Sequence, residues 1–337
     1  MRIIALEEAF WTDTLRTPGA YRDEWARAEL ERLMRPDMLA HVGARISDFA
    51  EYRIPDMDEH GVDVQVLSLT SPGVQGQPDV GVAIDDARRA NDFLAEVIAA
   101  HPTRFAGLAA LPLQDPAAAV EELRRSVEEL GLSGALVNGP TLGHYLDERR
   151  FDPVWAELER LGTPLYLHPH LAPADDQWKV LDGHPELAAA MYRWASDTGA
   201  HAMRMVFGGV FDRFPGARVI LGHMGEYLPF QLARFDSMAQ KTRLPRELAK
   251  LPSEYVQQHL MVTTSGVCSA AAVIGAVHAI GIDNIMFAID YPYEQTGPAV
   301  EFLQQLPFAP ADRAKIAHGN AQRVLGLGRL GSPPSQQ

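Results

Sequence analysis

Short apolar runs alternate with amphipathic segments along the whole chain, and this alternation constrains the fold more than any other feature. Within each run most successive positions are apolar, as is typical of strands that are buried on both faces of a parallel sheet. The eight runs are Ile3–Leu6, Val64–Leu69, Phe105–Leu113, Gly134–Val137, Leu165–Leu167, Val219–Leu221, Leu260–Val262 and Ile285–Ile289.

The segments between the runs carry helical periodicity. The clearest are Ala87–Ala100, Ala117–Leu130, Pro153–Leu161 and Ala270–Ile280. Eight strands that alternate with helices predict an α/β fold of the (β/α)₈ barrel type. The alternative is an open doubly wound sheet, but no glycine-rich phosphate-binding motif follows the first run.

The length fits a single barrel domain. The chain has 337 residues, of which 47% are hydrophobic, so it can bury a large core. We expect one domain over residues 1–330, with insertions at about 11–53, after the first strand and helical, and at about 171–192. Residues 331–337, which read GSPPSQQ, are predicted to be disordered.

Composition excludes several classes of function. The net charge is −14, which disfavours binding to nucleic acid or to an anionic membrane. Cys268 is the single cysteine, so no disulfide can form within the chain, and no apolar stretch reaches the roughly 18 residues of a membrane span. Acidic residues interrupt the apolar N-terminus too early for a signal peptide, so we expect a cytoplasmic protein.

Polar residues follow six of the apolar runs. They are Glu7, Asn138, His168, His223, Thr264 and Asp290. In a (β/α)₈ barrel the carboxyl ends of the strands meet at one face, where active sites lie. Any one such residue is equally at home in a helix cap or a turn, but six together predict a pocket.

Two groups of residues in or next to this set could take part in catalysis. Glu7, His168 and Asp290 offer carboxylate and imidazole ligands for a divalent cation. His223 and Glu226 lie three residues apart in LGHMGE, where we expect a helix to begin, so the carboxylate can contact and orient the imidazole.

Two arginines are open to two interpretations. Arg53 and Arg234 could supply the local cation that an acidic protein needs in order to bind an anion. From the residues alone, an ion pair on the surface is the favoured interpretation of each.

Several motifs together resemble one family. They are ALEEAF at 5–10, GALVNG at 134–139, PLYLHP at 164–169, LGHMGE at 221–226 and FAIDYPYE at 287–294. In this combination the chain resembles the aromatic-acid decarboxylases of the amidohydrolase superfamily. That group includes γ-resorcylate, 2,3-dihydroxybenzoate and 5-carboxyvanillate decarboxylases, and is related to aminocarboxymuconate semialdehyde decarboxylase.

The resemblance implies a metal centre. Its ligands would be Glu7, His168 and Asp290, while Ala9 stands where many relatives in the wider superfamily have a second first-strand ligand. One imidazole and two carboxylates suit Mn²⁺, Zn²⁺ or Mg²⁺. The resemblance implies one such ion and no organic cofactor.

The resemblance also implies roles for other residues. Asp290 would donate the proton, with His223 and Glu226 tuning it. Substrate contacts would come from Asn138, Arg53 and Arg234, the last from a neighbouring subunit of a homodimer or homotetramer.

The expected function is therefore metal-dependent, non-oxidative decarboxylation of a hydroxybenzoate-type acid. The alternative is a metal-dependent hydrolase of a lactone, amide or ester on the same barrel. Against it, Ala9 and Asn138 replace a histidine and a lysine that such hydrolases often carry. A third possibility is a barrel without activity that binds an aromatic acid or a protein.

Overall fold

Parallel strands form two hydrogen-bonded arcs in the computed structural model, which describes residues 1–17, 28, 31–171 and 178–327. One arc has the order β1-β2-β3 and the other β4-β5-β6-β7-β8-β9. The strands are β1 (Ile4–Phe10), β2 (Val64–Leu69), β3 (Phe105–Gly107), β4 (Ala109–Ala110), β5 (Ala135–Asn138), β6 (Leu165–His168), β7 (Val219–Leu221), β8 (Leu260–Thr263) and β9 (Ile285–Met286).

The two arcs meet at both edges. β3 and β4 are the two halves of one predicted run, and Leu108 between them donates its N–H to the carbonyl of Leu67 in β2. At the other edge a parallel bridge joins Leu6 to Ala288, just after β9. These links complete a ring of eight strands, so the predicted (β/α)₈ barrel is confirmed.

Helices follow the strands on the outside of the ring. They are α1 (Pro36–Arg45), α2 (Arg53–His60), α3 (Val80–Ala100), α4 (Pro116–Glu128), α5 (Asp152–Leu161), α6 (Arg193–Phe207), α7 (Val210–Arg213), α8 (Leu232–Ala239), α9 (Pro252–His259), α10 (Ala270–Ile280), α11 (Thr296–Gln305), α12 (Pro310–Ala314) and α13 (Asn320–Leu325). All four predicted helices are present. None of the helices in the described ranges is long and apolar enough to cross a lipid bilayer.

The predicted insertions are partly described. α1 lies within the first one, which starts only after β1 ends at Phe10. The second contains short 3₁₀ turns at Lys179–Leu181 and Pro185–Ala188. Residues 18–27, 29–30 and 172–177 of these insertions, and the predicted disordered tail, lie outside the described residues.

The hydrophobic core has two layers. The inner layer fills the barrel with alternate strand side chains, such as Ile4, Val64 and Ile220. α13 closes the bottom of this layer with Val324 and Leu325. The outer layer lies between strands and helices. The opposite end of the barrel, where the strands finish, is left for polar side chains.

Candidate active site

Four of the predicted residues meet at the carboxyl end of the barrel. The Nε2 atoms of His168 and His223 each lie 3.5 Å from Oε1 of Glu7. Oδ2 of Asp290 lies 3.7 Å from Nε2 of His223. Side chains from four separate strand regions therefore form one cluster, as the strand-end pattern predicts.

A bulge in β1 aims Glu7 into this cluster. We expected Glu7 to follow the first strand, but the strand continues to Phe10 and its register with β2 shifts between Ala5 and Glu8. Glu7 has a φ of +64°, in the left-handed region. Bulges of this kind redirect side chains and are frequent beside active sites.

A glycine allows the close approach of this carboxylate. A Cβ atom at Gly222 would lie 2.5 Å from Oε1 of Glu7, so a side chain at that position would displace the carboxylate. Gly222, in the LGHMGE motif, thus leaves the room that the Glu7 carboxylate occupies.

The two oxygens of Glu7 have opposite surroundings. Oε2 accepts hydrogen bonds from the hydroxyls of Tyr166, Thr263 and Ser265. Oε1 is buried and accepts no hydrogen bond from any described residue. A buried carboxylate oxygen without a donor is costly unless a cation faces it.

The atoms around this bare oxygen fit a divalent cation. One ligand atom each from Glu7, His168 and His223 lie within 4.8 Å of one another. Carboxylate oxygen and imidazole nitrogen are ordinary ligands of Mn²⁺ and Zn²⁺. Asp290, predicted as the third ligand, is outside this group of three but adjoins it through His223.

His168 is held in the form that binds metals. Its Nδ1 lies 2.8 Å from the carbonyl oxygen of Pro169, which can only accept, so Nδ1 carries the hydrogen. Nε2 then presents its lone pair towards Glu7. Burial lowers the pKa of His168 to about 4, which keeps the ring neutral.

His223 and Glu226 are in direct contact, as their spacing predicts. Nδ1 of His223 donates to Oε1 of Glu226 at 2.7 Å. Burial alone lowers the pKa of His223, but the surrounding carboxylates outweigh it and raise the pKa well above its usual range. The pair can therefore hold a proton beside Asp290.

The backbone at this motif is not the regular helix we expected. His223–Gly225 is a single 3₁₀ turn, and His223, Met224, Glu226 and Tyr227 all have positive φ. The N–H of His223 donates to the hydroxyl of Ser265, 2.9 Å away, which helps to anchor the turn.

Asp290 combines a strained backbone with a shifted pKa. It has a φ of +79°. Burial raises the pKa of its carboxyl to about 7, although the nearby imidazole of His223 opposes the rise. A carboxyl group of this kind can carry a proton near neutral pH, as a general acid must.

Asn138 ends β5 with one polar atom unused. Its Nδ2 donates to the carbonyl of Leu69 at 3.4 Å, and its backbone N–H donates to Gln75. Its Oδ1 is buried and has no hydrogen-bond partner among the described residues. This oxygen is free to accept a hydrogen bond from a ligand hydroxyl.

Neither predicted arginine joins the cluster in this chain. Arg53 is fully buried, and its guanidinium donates to Asp48, Gln65 and Ala9. Arg234 is exposed on α8. Thr264, the sixth strand-end residue, bonds instead to the backbone of Ala288.

Four residues of the site were missed from the sequence. Tyr166, Thr263 and Ser265 support Glu7, and the signal for two of them was the hydroxyl-rich TTSG motif after the seventh run. The fourth is Trp194 of α6, whose ring centre lies 6.5 Å from that of His168. Its Nε1–H is buried and has no partner within the described ranges.

A (β/α)₈ barrel with a buried carboxylate and histidines at its strand ends defines a metal-dependent enzyme of the amidohydrolase type. Residues 36–327 match the amidohydrolase sequence family. The chain belongs to this family, within its group of aromatic-acid decarboxylases.

Three relatives illustrate the likeness. γ-Resorcylate decarboxylase of Rhodococcus jostii strain RHA1 is 40% identical, over 97% of this chain and 99% of the relative. A solved dihydroxybenzoic acid decarboxylase of Polaromonas sp. JS666, with bound manganese and 2-nitroresorcinol, is 36% identical over 97% and 98% of the two chains, with a TM-score of 0.88. A solved 5-carboxyvanillate decarboxylase of Sphingomonas paucimobilis is 37% identical over 96% and 99%, with a TM-score of 0.87.

The hydroxyls around Glu7 give a first prediction. Tyr166→Phe removes one donor to Oε2 and frees the carboxylate to turn, so we expect Mn²⁺ affinity to fall about 10- to 100-fold, as is usual when a group that supports a ligand is lost. Isothermal titration of metal-free protein measures this. Tyr255→Phe is the matched control, because that hydroxyl donates to Asp212 away from the site. Equal affinity in the two variants would contradict the role of Tyr166.

Proposed function

We propose that this enzyme decarboxylates 2,6-dihydroxybenzoate (γ-resorcylate) to resorcinol and CO₂. The observation that carries the proposal is the position of the Asp290 carboxyl, whose Oδ2 lies 3.7 Å from Nε2 of His223 and so adjoins the group of Glu7, His168 and His223 that fits a metal ion. The substrate is chosen because γ-resorcylate decarboxylase of Rhodococcus jostii matches almost the whole chain.

We assign one divalent metal ion to Glu7, His168 and Asp290. His223 offers a further nitrogen at the same place, and its bond to Glu226 suits it equally to proton transfer. Mn²⁺ is the first candidate because the Polaromonas relative binds manganese. When bound, the metal supplies positive charge that favours an ionised hydroxyl ortho to the substrate carboxylate.

The protein's own residues perform the proton transfer. Direct loss of CO₂ would leave a carbanion orthogonal to the ring π system. An ionised ortho hydroxyl instead pushes electron density onto the ring carbon that bears the carboxylate. The Asp290 carboxyl protonates that carbon. The bond to the carboxylate then breaks, its electron pair restores the aromatic ring, and CO₂ leaves. His223 and Glu226 return a proton to Asp290.

Three residues are proposed to hold the substrate. Asn138 accepts from a substrate hydroxyl through its unpaired Oδ1. The three hydrogen bonds of Arg53 leave two of its five N–H groups for the carboxylate. Arg234 is exposed, and we propose that it reaches the site of a neighbouring subunit in a homodimer or homotetramer.

A substrate and metal panel tests the function. Metal-free protein is reconstituted with Mn²⁺, Zn²⁺ or Mg²⁺ and incubated with 2,6-dihydroxybenzoate, 2,3-dihydroxybenzoate, 5-carboxyvanillate and an aryl lactone. We expect CO₂ release from 2,6-dihydroxybenzoate, fastest with Mn²⁺. Lactone hydrolysis without CO₂ release from any of the acids would contradict the proposed decarboxylase activity and show a hydrolase instead.

The proton donor gives the next prediction. Asp290→Asn keeps the shape of the side chain but cannot donate a carboxylic proton. We expect decarboxylation to slow at least ~10²-fold, and the ring hydrogen of resorcinol to stop exchanging with deuterated solvent, as followed by NMR. Near wild-type turnover in the metal-loaded variant would show that another residue is the donor.

The role of Arg234 predicts that activity depends on assembly. Arg234→Gln should raise the KM for 2,6-dihydroxybenzoate, because a charged hydrogen bond to the carboxylate is lost. The control is Arg89→Gln, at an exposed arginine of α3. Light scattering at the assay concentration completes the test, since a fully active monomer would refute a contribution from a second subunit.

A further inference from the structure

Glu8, the neighbour of Glu7, makes contacts that the mechanism above does not use. Its side chain is 0% exposed. Oε1 accepts the backbone N–H of Ile289 at 3.0 Å, and Oε2 accepts the backbone N–H of Tyr291 at 3.1 Å. Ile289 and Tyr291 are the residues immediately before and after Asp290.

Asp290 requires such support because its backbone is strained. Its φ of +79° lies in the left-handed region, which residues with a side chain adopt much less often than glycine does. Conformations of this kind persist at functional sites only where their surroundings hold them. The carbonyl of Tyr291 also accepts the N–H of Ala9 at 2.7 Å, so β1 fixes the segment on both its donor and acceptor sides.

Arg53 contacts the same segment as Glu8. Burial raises the pKa of the Glu8 carboxyl well above its usual range, although its two backbone N–H donors and the nearby charge of Arg53 oppose the rise. The guanidinium of Arg53 lies 4.5 Å from the ring centre of Tyr291 and donates to the carbonyl of Ala9. Glu8 and Arg53 thus both contact Tyr291, the residue that follows Asp290.

We propose that Glu8 is a positioning residue for Asp290. It holds the backbone N–H groups of the two residues that flank Asp290, and so directs the Asp290 carboxyl towards the reacting carbon. The inference rests on the proposed role of Asp290 as proton donor. It assigns Glu7 and Glu8 separate tasks, since the β1 bulge sends one side chain to the metal-fitting cluster and the other to the backbone after β9.

The test is a double-mutant cycle between Glu8→Gln and Asp290→Asn. Glutamine has the same shape but one acceptor oxygen, so one of the two N–H groups loses its partner. With 2,6-dihydroxybenzoate we expect Glu8→Gln alone to lower kcat by about 10- to 100-fold with little change in KM, the size of effect that a misplaced reacting group produces. In the Asp290→Asn background it should lower kcat by no more than about 2-fold, because no acid is left to aim.

A purely structural role predicts a different result. Glu8→Gln would then lower kcat by the same factor in both backgrounds, and that outcome overturns the proposal. Asp86→Asn is the matched control, since Asp86 is also buried and accepts two backbone N–H groups, from Arg16 and Thr17. It should lower the melting temperature without coupling to Asp290→Asn.

Hydrogen exchange separates the hold of Glu8 on this segment from the chemistry. In Glu8→Gln we expect faster amide exchange than in wild type in a peptide that spans residues 287–294. Unchanged protection of that peptide would show that Glu8 does not hold this segment, and would overturn the proposal. This readout needs no turnover. If the wild-type enzyme releases no CO₂, or if Asp290→Asn turns over normally, the donor role fails even where the exchange shows that Glu8 holds the segment.

Glu8→Asp is a second variant that keeps the test possible if Glu8→Gln does not fold. It keeps the carboxyl group but shortens the side chain by one methylene, so the two hydrogen bonds lengthen. We expect the same coupling to Asp290→Asn and the same loss of protection at 287–294. Full wild-type kcat in a folded Glu8→Asp protein would overturn the proposal.

Discussion

The site depends on the unequal surroundings of the Glu7 carboxylate. One oxygen accepts hydrogen bonds from hydroxyls, while the other is buried and has no donor among the residues that the structure describes. A carboxylate held on one side cannot turn to satisfy its second oxygen, so that oxygen keeps its negative charge directed at the imidazoles. The bulge in β1 and the missing side chain at Gly222 make this placement possible.

Four acidic side chains are buried or nearly buried in one small region, namely Glu7, Glu8, Glu226 and Asp290. Each has a different solution to the cost of burial. Glu226 has an imidazole, Glu8 has two backbone amides and an arginine, and Asp290 has a pKa raised to about 7. Glu7 alone is left with an unpartnered oxygen, which is why the cation is inferred there. The way in which each carboxylate is compensated separates those with a structural role from those that can react.

The sequence predicted the barrel well because its physical cause is local. Strands buried on both faces must be apolar at successive positions, so eight runs could be read directly. The convergence of His168, His223 and Asp290 followed from topology alone. The bulge at Glu7 and the left-handed turn at His223 could not be predicted, because both depend on hydrogen bonds from distant residues such as Ser265. Arg53 likewise resembled a surface charge until the fold buried it.

The polar atoms left without partners describe the ligand that the pocket suits. Oδ1 of Asn138 can accept a hydrogen bond, and Nε1 of Trp194 can donate one. Oε1 of Glu7 can bind a cation. A planar acid with a hydroxyl beside its carboxylate offers a donor and several acceptor oxygens within one small ring. Because a buried polar atom is unfavourable when unpaired, each such atom also selects against ligands that lack its complement. Under the proposed function, the substrate would complete hydrogen bonding that the described residues leave unfinished.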